Sequence, residues 1–191
     1  MRAYLGLVGS VLLAAAGRRL RPRWRAVSGL VLLGAGAYAG FRVARHVWER
    51  ALRERVALLK GLPESTLERA YKERVRLNDG ARILVRTMAA HDAFTALISG
   101  GFTYFTSRVA EAAGFATQQA NELIVENGKL AGTVREPILG REAKREALLR
   151  LAREHGVDLR DTLAIGDGAN DLAMIGEAGL GIAYRAKPVV A

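Results

Sequence analysis

The chain has 191 residues, of which half are hydrophobic and a quarter are charged, as is typical of a folded protein of one ordinary domain. It contains no cysteine, which excludes disulfides, zinc–thiolate sites and cysteine nucleophiles. The net charge of +10 is concentrated in residues 1–50, which hold nine arginines and one acid, whereas residues 51–191 carry only +2. A basic nucleic-acid-binding face on the folded domain is therefore not expected.

Residues 1–50 differ from the rest in composition, being built almost wholly from Ala, Gly, Leu, Val and Arg. Apolar runs at residues 3–17 and 26–41 flank a basic stretch, and each falls short of the roughly 20 residues that a membrane-spanning helix needs. A membrane hairpin over residues 3–41 would require tilting or a thinned bilayer. We favour the alternative that this segment is GC-rich coding DNA translated out of frame. A cytoplasmic protein is then expected, and a membrane-associated one only if the hairpin is genuine.

From residue 51 the composition becomes balanced. Helical spacing of apolar residues predicts three helices, at residues 51–60, 65–76 and 80–90. Ser65 is placed to act as the N-cap of the second. Residues 94–98 form a short apolar run, which predicts a buried strand feeding the glycine loop that begins at Ser99. A further helix follows over residues 104–113 and ends at Gly114.

The second half of the chain continues this alternation. Apolar runs at residues 123–125 and 130–134 flank Asn127-Gly128, the strongest short-range signal for a β-hairpin. The remaining predicted elements are a helix over 141–154, a strand over 162–165, a helix over 170–178 and a strand over 181–184. Strands alternating with helices predict an α/β fold with a doubly wound parallel sheet, in which ligands bind at the carboxyl ends of the strands.

The richest motif is Gly166-Asp167-Gly168-Ala169-Asn170-Asp171, which follows a predicted strand. Flanking glycines let a phosphate approach the backbone closely, and carboxylate oxygens suit Mg²⁺. The alternative is that Asn170 or Asp171 merely caps the following helix. The polar groups at this one strand end favour a functional site.

Two weaker features accompany this motif. Ser99-Gly100-Gly101 offers a hydroxyl and successive backbone N–H groups that would cradle phosphate oxygens, although a simple glycine turn would have the same sequence. Lys144 would neutralise a transferring phosphoryl group if it faced the site, although most helix lysines are solvated.

In this order, the three features resemble motifs two to four of the haloacid-dehalogenase-like phosphatases. The resemblance narrows to the phosphoserine phosphatases and runs from about residue 51 to residue 191. It is carried by residues 52–60, Ser99-Gly100-Gly101-Phe102, Ala120-Asn121-Glu122-Leu123, the motif at residues 166–171 and Ala186-Lys187-Pro188.

The resemblance implies roles at individual positions. Ser99, Gly100, Lys144 and Asn170 would bind the phosphate, with Ser99 and Lys144 acting in catalysis. Asp167 would bind Mg²⁺, with Asp171 behind it in the metal's outer shell. Arg55 would meet the substrate carboxylate, although a surface helix arginine is the simpler interpretation of that residue taken alone. The implied reaction is hydrolysis of O-phospho-L-serine to serine and phosphate, the last step of serine biosynthesis.

Departures from the family pattern limit this expectation. Members begin with a strand ending in Asp-x-Asp-x-Thr, whose first aspartate is the nucleophile. No aspartate precedes Asp79 in this chain, and members continue beyond the position that matches Ala191. We therefore expect an incomplete Rossmann-like core with exposed sheet edges, and a chain with little or no activity. The alternative is a non-catalytic, membrane-anchored remnant that binds phosphate or Mg²⁺.

The predicted organisation has three parts. Residues 1–50 form the atypical segment, residues 51–78 are the remnant of a helical cap, and residues 79–191 are the truncated phosphohydrolase core with its β-hairpin. The expected partner is a small phosphomonoester, and no nucleic acid is expected.

Overall fold

A computed structural model describes residues 10–15 and 36–185 of the protein. The helices in these ranges are α1 Gly36–Ala57, α2 Ser65–Arg74, α3 Ala81–Ala90, α4 Thr103–Ala113, α5 Arg141–Glu154 and α6 Leu172–Glu177, with a 3₁₀ turn at Leu159–Asp161. The strands are β1 Ser10–Ala15, β2 Ala93–Phe102, β3 Thr117–Asn121, β4 Leu123–Glu126, β5 Lys129–Val134, β6 Thr162–Gly166 and β7 Leu180–Ala183.

Five strands form one sheet in the order β3-β2-β1-β6-β7. The pairs β2–β3 and β6–β7 are parallel, whereas β1 runs antiparallel to both of its neighbours, β2 and β6. The predicted α/β class and the parallel pairs are confirmed. The predicted exposure of sheet edges at the missing central strand is wrong, because residues 10–15 fill the position between β2 and β6 and pair with both.

Helix α5 packs on the sheet and forms the main core. Leu148 and Leu151 of α5 meet Ile98 of β2 and Met174 of α6, and all four side chains are buried. This packing fixes α5, and hence Lys144, relative to the ends of β2 and β6. Two smaller clusters lie on the other side of the site: Val56 and Ile138 join α1 to the loop before α5, and Leu67, Phe105 and Leu130 join α2 to α4 and the hairpin.

The hairpin β4–β5 has the predicted turn at Asn127-Gly128, where both residues take positive φ angles of 50° and 72°. A type I′ turn requires positive φ at both positions, which Asn and Gly tolerate best. The hairpin also holds the chain after α1, since the Gly61 N–H donates to the Leu130 carbonyl at 2.8 Å and the Leu130 N–H donates to the Leu62 carbonyl at 2.9 Å. The position of α1 over the sheet therefore depends on the hairpin.

Most predicted elements are confirmed, with differences at their ends. Strand β2 continues through Phe102, so the glycines lie in the strand's irregular end, where its register with β3 shifts between Ile98 and Phe102. The Ser65 N-cap prediction is wrong, because Ser65 is already the first helical residue and Glu64 is the N-cap. Strand β3 was not predicted, because its sequence Thr-Gln-Gln-Ala-Asn lacks apolar alternation.

No helix within residues 36–185 is long and apolar enough to cross a membrane. The first apolar run contributes β1, and the second ends inside α1, which starts at Gly36 and crosses residue 50. The rest of both runs lies outside the described residues.

Candidate active site

A cavity of about 710 Å³ opens where β2 and β6 end, beneath α1 and α2. The sequence-predicted residues that line it are Arg55, Ser99, Gly100, Lys144, Asp167 and Asn170. Asp171 lies behind this wall, fully buried. Side chains from four different elements and their loops thus meet at the carboxyl ends of two strands, where α/β proteins bind ligands.

The β6–α6 loop is organised around the carboxylate of Asp171. Its Oδ2 accepts hydrogen bonds from the backbone N–H groups of Asp167 and Gly168, each at 3.1 Å. Its Oδ1 accepts from the Asn170 side chain at 3.4 Å. Asp171 makes no side-chain capping bond to α6, so the alternative that it merely caps this helix does not describe its contacts.

Neighbouring side chains in this loop approach two glycines so closely that no larger residue fits at either position. A Cβ atom on Gly166 would lie 2.6 Å from Oδ2 of Asp171, and one on Gly168 would collide with Oδ1 of Asn170. A side chain at position 166 would push the buried carboxylate out of place, and one at position 168 would displace the amide of Asn170. The glycine spacing seen in the sequence therefore has a steric cause at the site.

Lys144 is buried and forms an ion pair with Asp171, with Nζ 2.5 Å from Oδ1. Both side chains are almost completely excluded from water, with exposed fractions of 4% and 1%. Burial of a charge is costly unless it is paired, so each residue fixes the other in place. The pair presents an ammonium group at the cavity wall, because Lys144 also lines the cavity.

The end of β2 is shaped by Ser99 and by a residue that the sequence did not single out for a role, Asn121. Ser99 Oγ accepts a hydrogen bond from the Gly101 N–H at 3.0 Å. The buried Asn121 side chain donates to the Gly100 carbonyl at 3.0 Å and accepts from the Leu139 N–H at 2.7 Å. Asn121 therefore ties the glycine segment to the loop before α5.

Two further lining residues were not predicted, Trp48 and Arg74. The Trp48 ring lies against the end of β2 and against the loop before α5: a Cβ on Gly100 would be 3.4 Å from it, and one on Gly140 would be 3.7 Å from it. Arg55 lines the same cavity from α1, and its Nε donates to the Ala51 carbonyl at 3.1 Å. A helical projection of α1 would have placed Trp48, Leu52 and Arg55 on one face, at spacings of four and three residues.

A divalent cation would have a limited set of donors here. Among residues 10–15 and 36–185, no cluster of three or more His, Asp or Glu side chains is arranged to hold a metal. Asp167 lines the cavity, with Asp171 directly behind it. Mg²⁺ is commonly bound by one or two carboxylates together with water and substrate phosphate, so Asp167 fits Mg²⁺ as the protein's part of such a set.

The arrangement suits the binding of an anion. Lys144, Arg55 and Arg74 bring positive charge to the wall, while Ser99 and Asn170 offer hydrogen-bonding groups. β1 has the sequence Ser-Val-Leu-Leu-Ala-Ala and brings no carboxylate to the sheet between β2 and β6.

Comparison with known proteins agrees with these features. Residues 6–176 match the family of haloacid dehalogenase-like hydrolases. A phosphoserine phosphatase of Archaeoglobus fulgidus is 45% identical over 143 residues, which cover 75% of this chain and 41% of the relative. A phosphoserine phosphatase of Streptococcus thermophilus is 43% identical over 169 residues, covering 83% of this chain and 78% of the relative.

A solved structure described as a phospho-aspartyl intermediate analogue of phosphoserine phosphatase is also similar. It superposes with a TM-score of 0.69 at 42% identity and covers 74% of this chain and 68% of its own. The chain spans well under half of the Archaeoglobus relative, so it corresponds to part of that protein. By both sequence and fold, the chain belongs to the haloacid dehalogenase-like hydrolases and, within them, to the phosphoserine phosphatase family.

Proposed function

We propose that the cavity binds the phosphate group of a small phosphomonoester, and that the family reaction, hydrolysis of O-phospho-L-serine to serine and phosphate, is the chemistry from which this site derives. The observation that carries the proposal is the convergence of Ser99, Lys144, Asp167 and Asn170 on one cavity at the ends of β2 and β6. The relatives named phosphoserine phosphatase support the choice of substrate. A cytoplasmic location is part of the same proposal.

The proposed roles follow from where the groups lie. The Ser99 hydroxyl and the Gly100 backbone would bind phosphate oxygens, and the ammonium of Lys144 would offset the charge of the phosphoryl group. Asn170 would donate to the same group. Arg55, at the cap side of the cavity, would bind a carboxylate through its planar fork of donors.

Asp167 would hold Mg²⁺, which when bound polarises a phosphoryl oxygen. Asp171 would orient the loop that carries Asp167, since its carboxylate accepts from the Asp167 N–H. Lys144 would keep Asp171 in place through their buried ion pair.

Turnover by this 191-residue chain is proposed to be very low. The family reaction needs a carboxylate nucleophile, as the phospho-aspartyl description of one solved relative illustrates. The strand between β2 and β6 carries none. Loss of a covalent nucleophile costs on the order of a millionfold in rate in well-studied hydrolases. In this form the chain would act as a phosphate-binding protein rather than as an enzyme.

Calorimetric titration of the whole chain with O-phospho-L-serine in Mg²⁺ buffer tests binding, and phosphate release tests turnover. We expect saturable binding with phosphate release near background. Ser99→Ala should weaken binding by about tenfold to a hundredfold, since a hydrogen bond to a charged group contributes about 1.5–3 kcal/mol. Ser107→Ala, which removes an exposed hydroxyl on α4, is the matched control and should leave binding unchanged.

Two results would contradict the proposal. If the chain shows no binding of phosphoserine or inorganic phosphate, the cavity is not a phosphate site. If turnover is measurable and is lost in Asp167→Ala, the predicted inactivity is wrong, and another group supplies the nucleophile.

A further inference from the structure

The cavity wall has an uneven distribution of charge. Among the residues that the structure describes, three cationic side chains line it, Arg55, Arg74 and Lys144, against a single carboxylate, Asp167. Asp171 offsets Lys144 from behind through their ion pair. Neither Arg55 nor Arg74 forms an ion pair with a carboxylate of residues 36–185, so both guanidinium groups are available to a ligand.

No other carboxylate of the chain adds to Asp167 at the cavity wall. All 19 acidic residues of the sequence lie between Glu49 and Glu177, within the ranges that the structure describes. The segments outside those ranges contain no Asp or Glu at all. Of the 19, only Asp167 lines the cavity. The acid nearest to Trp48 in sequence, Glu49, exposes 12% of its side chain and lies 3.7 Å from Arg53.

Phosphoserine presents three charged groups to such a wall. Its phosphate would meet Ser99, Lys144 and Asn170, and its carboxylate would meet Arg55 or Arg74. Its ammonium group would require a carboxylate acceptor to offset the cost of leaving water. Asp167 stands at the phosphate end of the cavity, so the ammonium would instead lie among guanidinium groups of its own sign, which raises its free energy.

We infer that this site binds phosphomonoesters that carry a carboxylate but no ammonium group more tightly than it binds phosphoserine. The inference rests on the proposed function, because it concerns the same cavity and the same phosphate-binding groups. It alters the ligand class: the preferred ligand is a trianion, with a phosphate and a carboxylate joined by a short carbon chain.

Three probes separate the contributions of the charged groups. O-phosphoserine has both the carboxylate and the ammonium, its deamino analogue 3-phosphooxypropanoate has only the carboxylate, and phosphoethanolamine has only the ammonium. Calorimetric titration of the whole chain should give the tightest binding for the deamino analogue, about tenfold tighter than phosphoserine. Phosphoethanolamine should bind about tenfold more weakly than phosphoserine, because it keeps the ammonium group but lacks the carboxylate that Arg55 or Arg74 would bind.

A designed acceptor tests the cause of the preference. Thr66 lines the cavity in the first turn of α2, where an acidic side chain is favourable to the helix. Thr66→Glu should bring phosphoserine binding level with or above that of the deamino analogue. Thr66→Gln has nearly the same shape without the charge and should keep the original order of affinities.

Each outcome decides the matter. If phosphoserine binds at least as tightly as its deamino analogue in the unmodified chain, the inference is overturned while the proposed phosphate site stands. The inference also fails if Thr66→Gln changes the order of affinities as much as Thr66→Glu does. If none of the three probes binds and inorganic phosphate does not bind either, both the inference and the proposed function fail.

Discussion

The first 50 residues and the rest of the chain contribute to the same sheet in different ways. From residue 51 onward, β2 and β6 end in polar loops that converge on one cavity, and each has a parallel partner. The earlier segment supplies β1, which pairs along both neighbours but in the opposite direction and carries no acid. The difference indicates that backbone pairing can fill a central sheet position even when the strand runs opposite to both neighbours.

The cause lies in what each contact demands. A strand position requires backbone donors and acceptors and apolar side chains, which many sequences provide. A phosphate site requires particular groups at particular places, such as the buried pair Lys144–Asp171 and the two glycines beside it. The first requirement is met on both sides of residue 50, whereas the polar groups proposed to meet the second all come after it.

The largest expected effect comes from exchanging the amino-terminal segment. A chimaera joining the matching amino-terminal part of the Streptococcus thermophilus relative to residues 51–191 should gain on the order of 10⁵–10⁶-fold in phosphoserine turnover, because it regains a nucleophile. Initial rates of phosphate release measure this gain. The same chimaera with Asp167→Asn is the control and should lose most of it. Equal turnover in the chimaera and the present chain would mean that the segment after residue 50 limits activity.

The buried ion pair should dominate stability within the second region. Lys144→Met leaves Asp171 buried without its ammonium partner and should lower the free energy of unfolding by about 3–5 kcal/mol. Urea denaturation measures this change. Lys144→Met combined with Asp171→Asn removes the unpaired charge and keeps an oxygen acceptor for the loop N–H groups, so it should recover part of the loss in stability but no phosphate binding. A double variant as unstable as the single one would contradict this account.

The contribution of β1 can be tested by breaking its hydrogen bonds. Leu12 pairs with Ala96 of β2 and Ala164 of β6, so Leu12→Pro in this central strand should cost about 3 kcal/mol or more. Hydrogen exchange at the amides of β2 and β6 should accelerate, whereas Leu12→Ile should leave exchange unchanged. Unchanged exchange in the proline variant would show that the first segment does not hold the sheet together.

A smaller effect is expected at the glycines of the β6–α6 loop. Gly166→Ala should destabilise the protein by about 1–3 kcal/mol and weaken phosphate binding, because the added methyl group displaces Asp171. Gly176→Ala, where no atom lies within 4 Å of the added carbon, is the matched control. It should be neutral or slightly stabilising, since alanine favours the helix. Thermal unfolding of both variants gives the comparison, and equal losses would refute the steric explanation.

Local signals were sufficient for much of the fold. The Asn127-Gly128 turn and the helix stop at Gly114 have sequence signatures that act within a few residues, and both are found. Strand β3 was missed because its pairing with β2 is a long-range contact and its residues are mostly polar. The direction of β1 could not be predicted either, since an apolar run such as residues 10–15 can pair with its neighbours in the parallel or in the antiparallel direction.

The site could be predicted in part for the same reason. Glycine-flanked polar residues after β2 and β6 stand out in a sequence, and the structure places them in one cavity. No glycine-flanked pattern of this kind surrounds Asn121, Trp48 or Arg74 in the sequence. Their positions depend on how the cap helices and the hairpin pack, as the bonds from Asn121 to Gly100 and Leu139 illustrate.

The indole of Trp48 gives the chain a natural optical reporter. The sequence has only one other tryptophan, Trp24, so Trp48→Phe isolates the emission of each ring. Because Trp48 lies against Gly100 and Gly140, a phosphate entering the cavity would change the polarity and the quenching groups around it. Ligand occupancy could thus be followed in solution by fluorescence, without labelling and without any turnover.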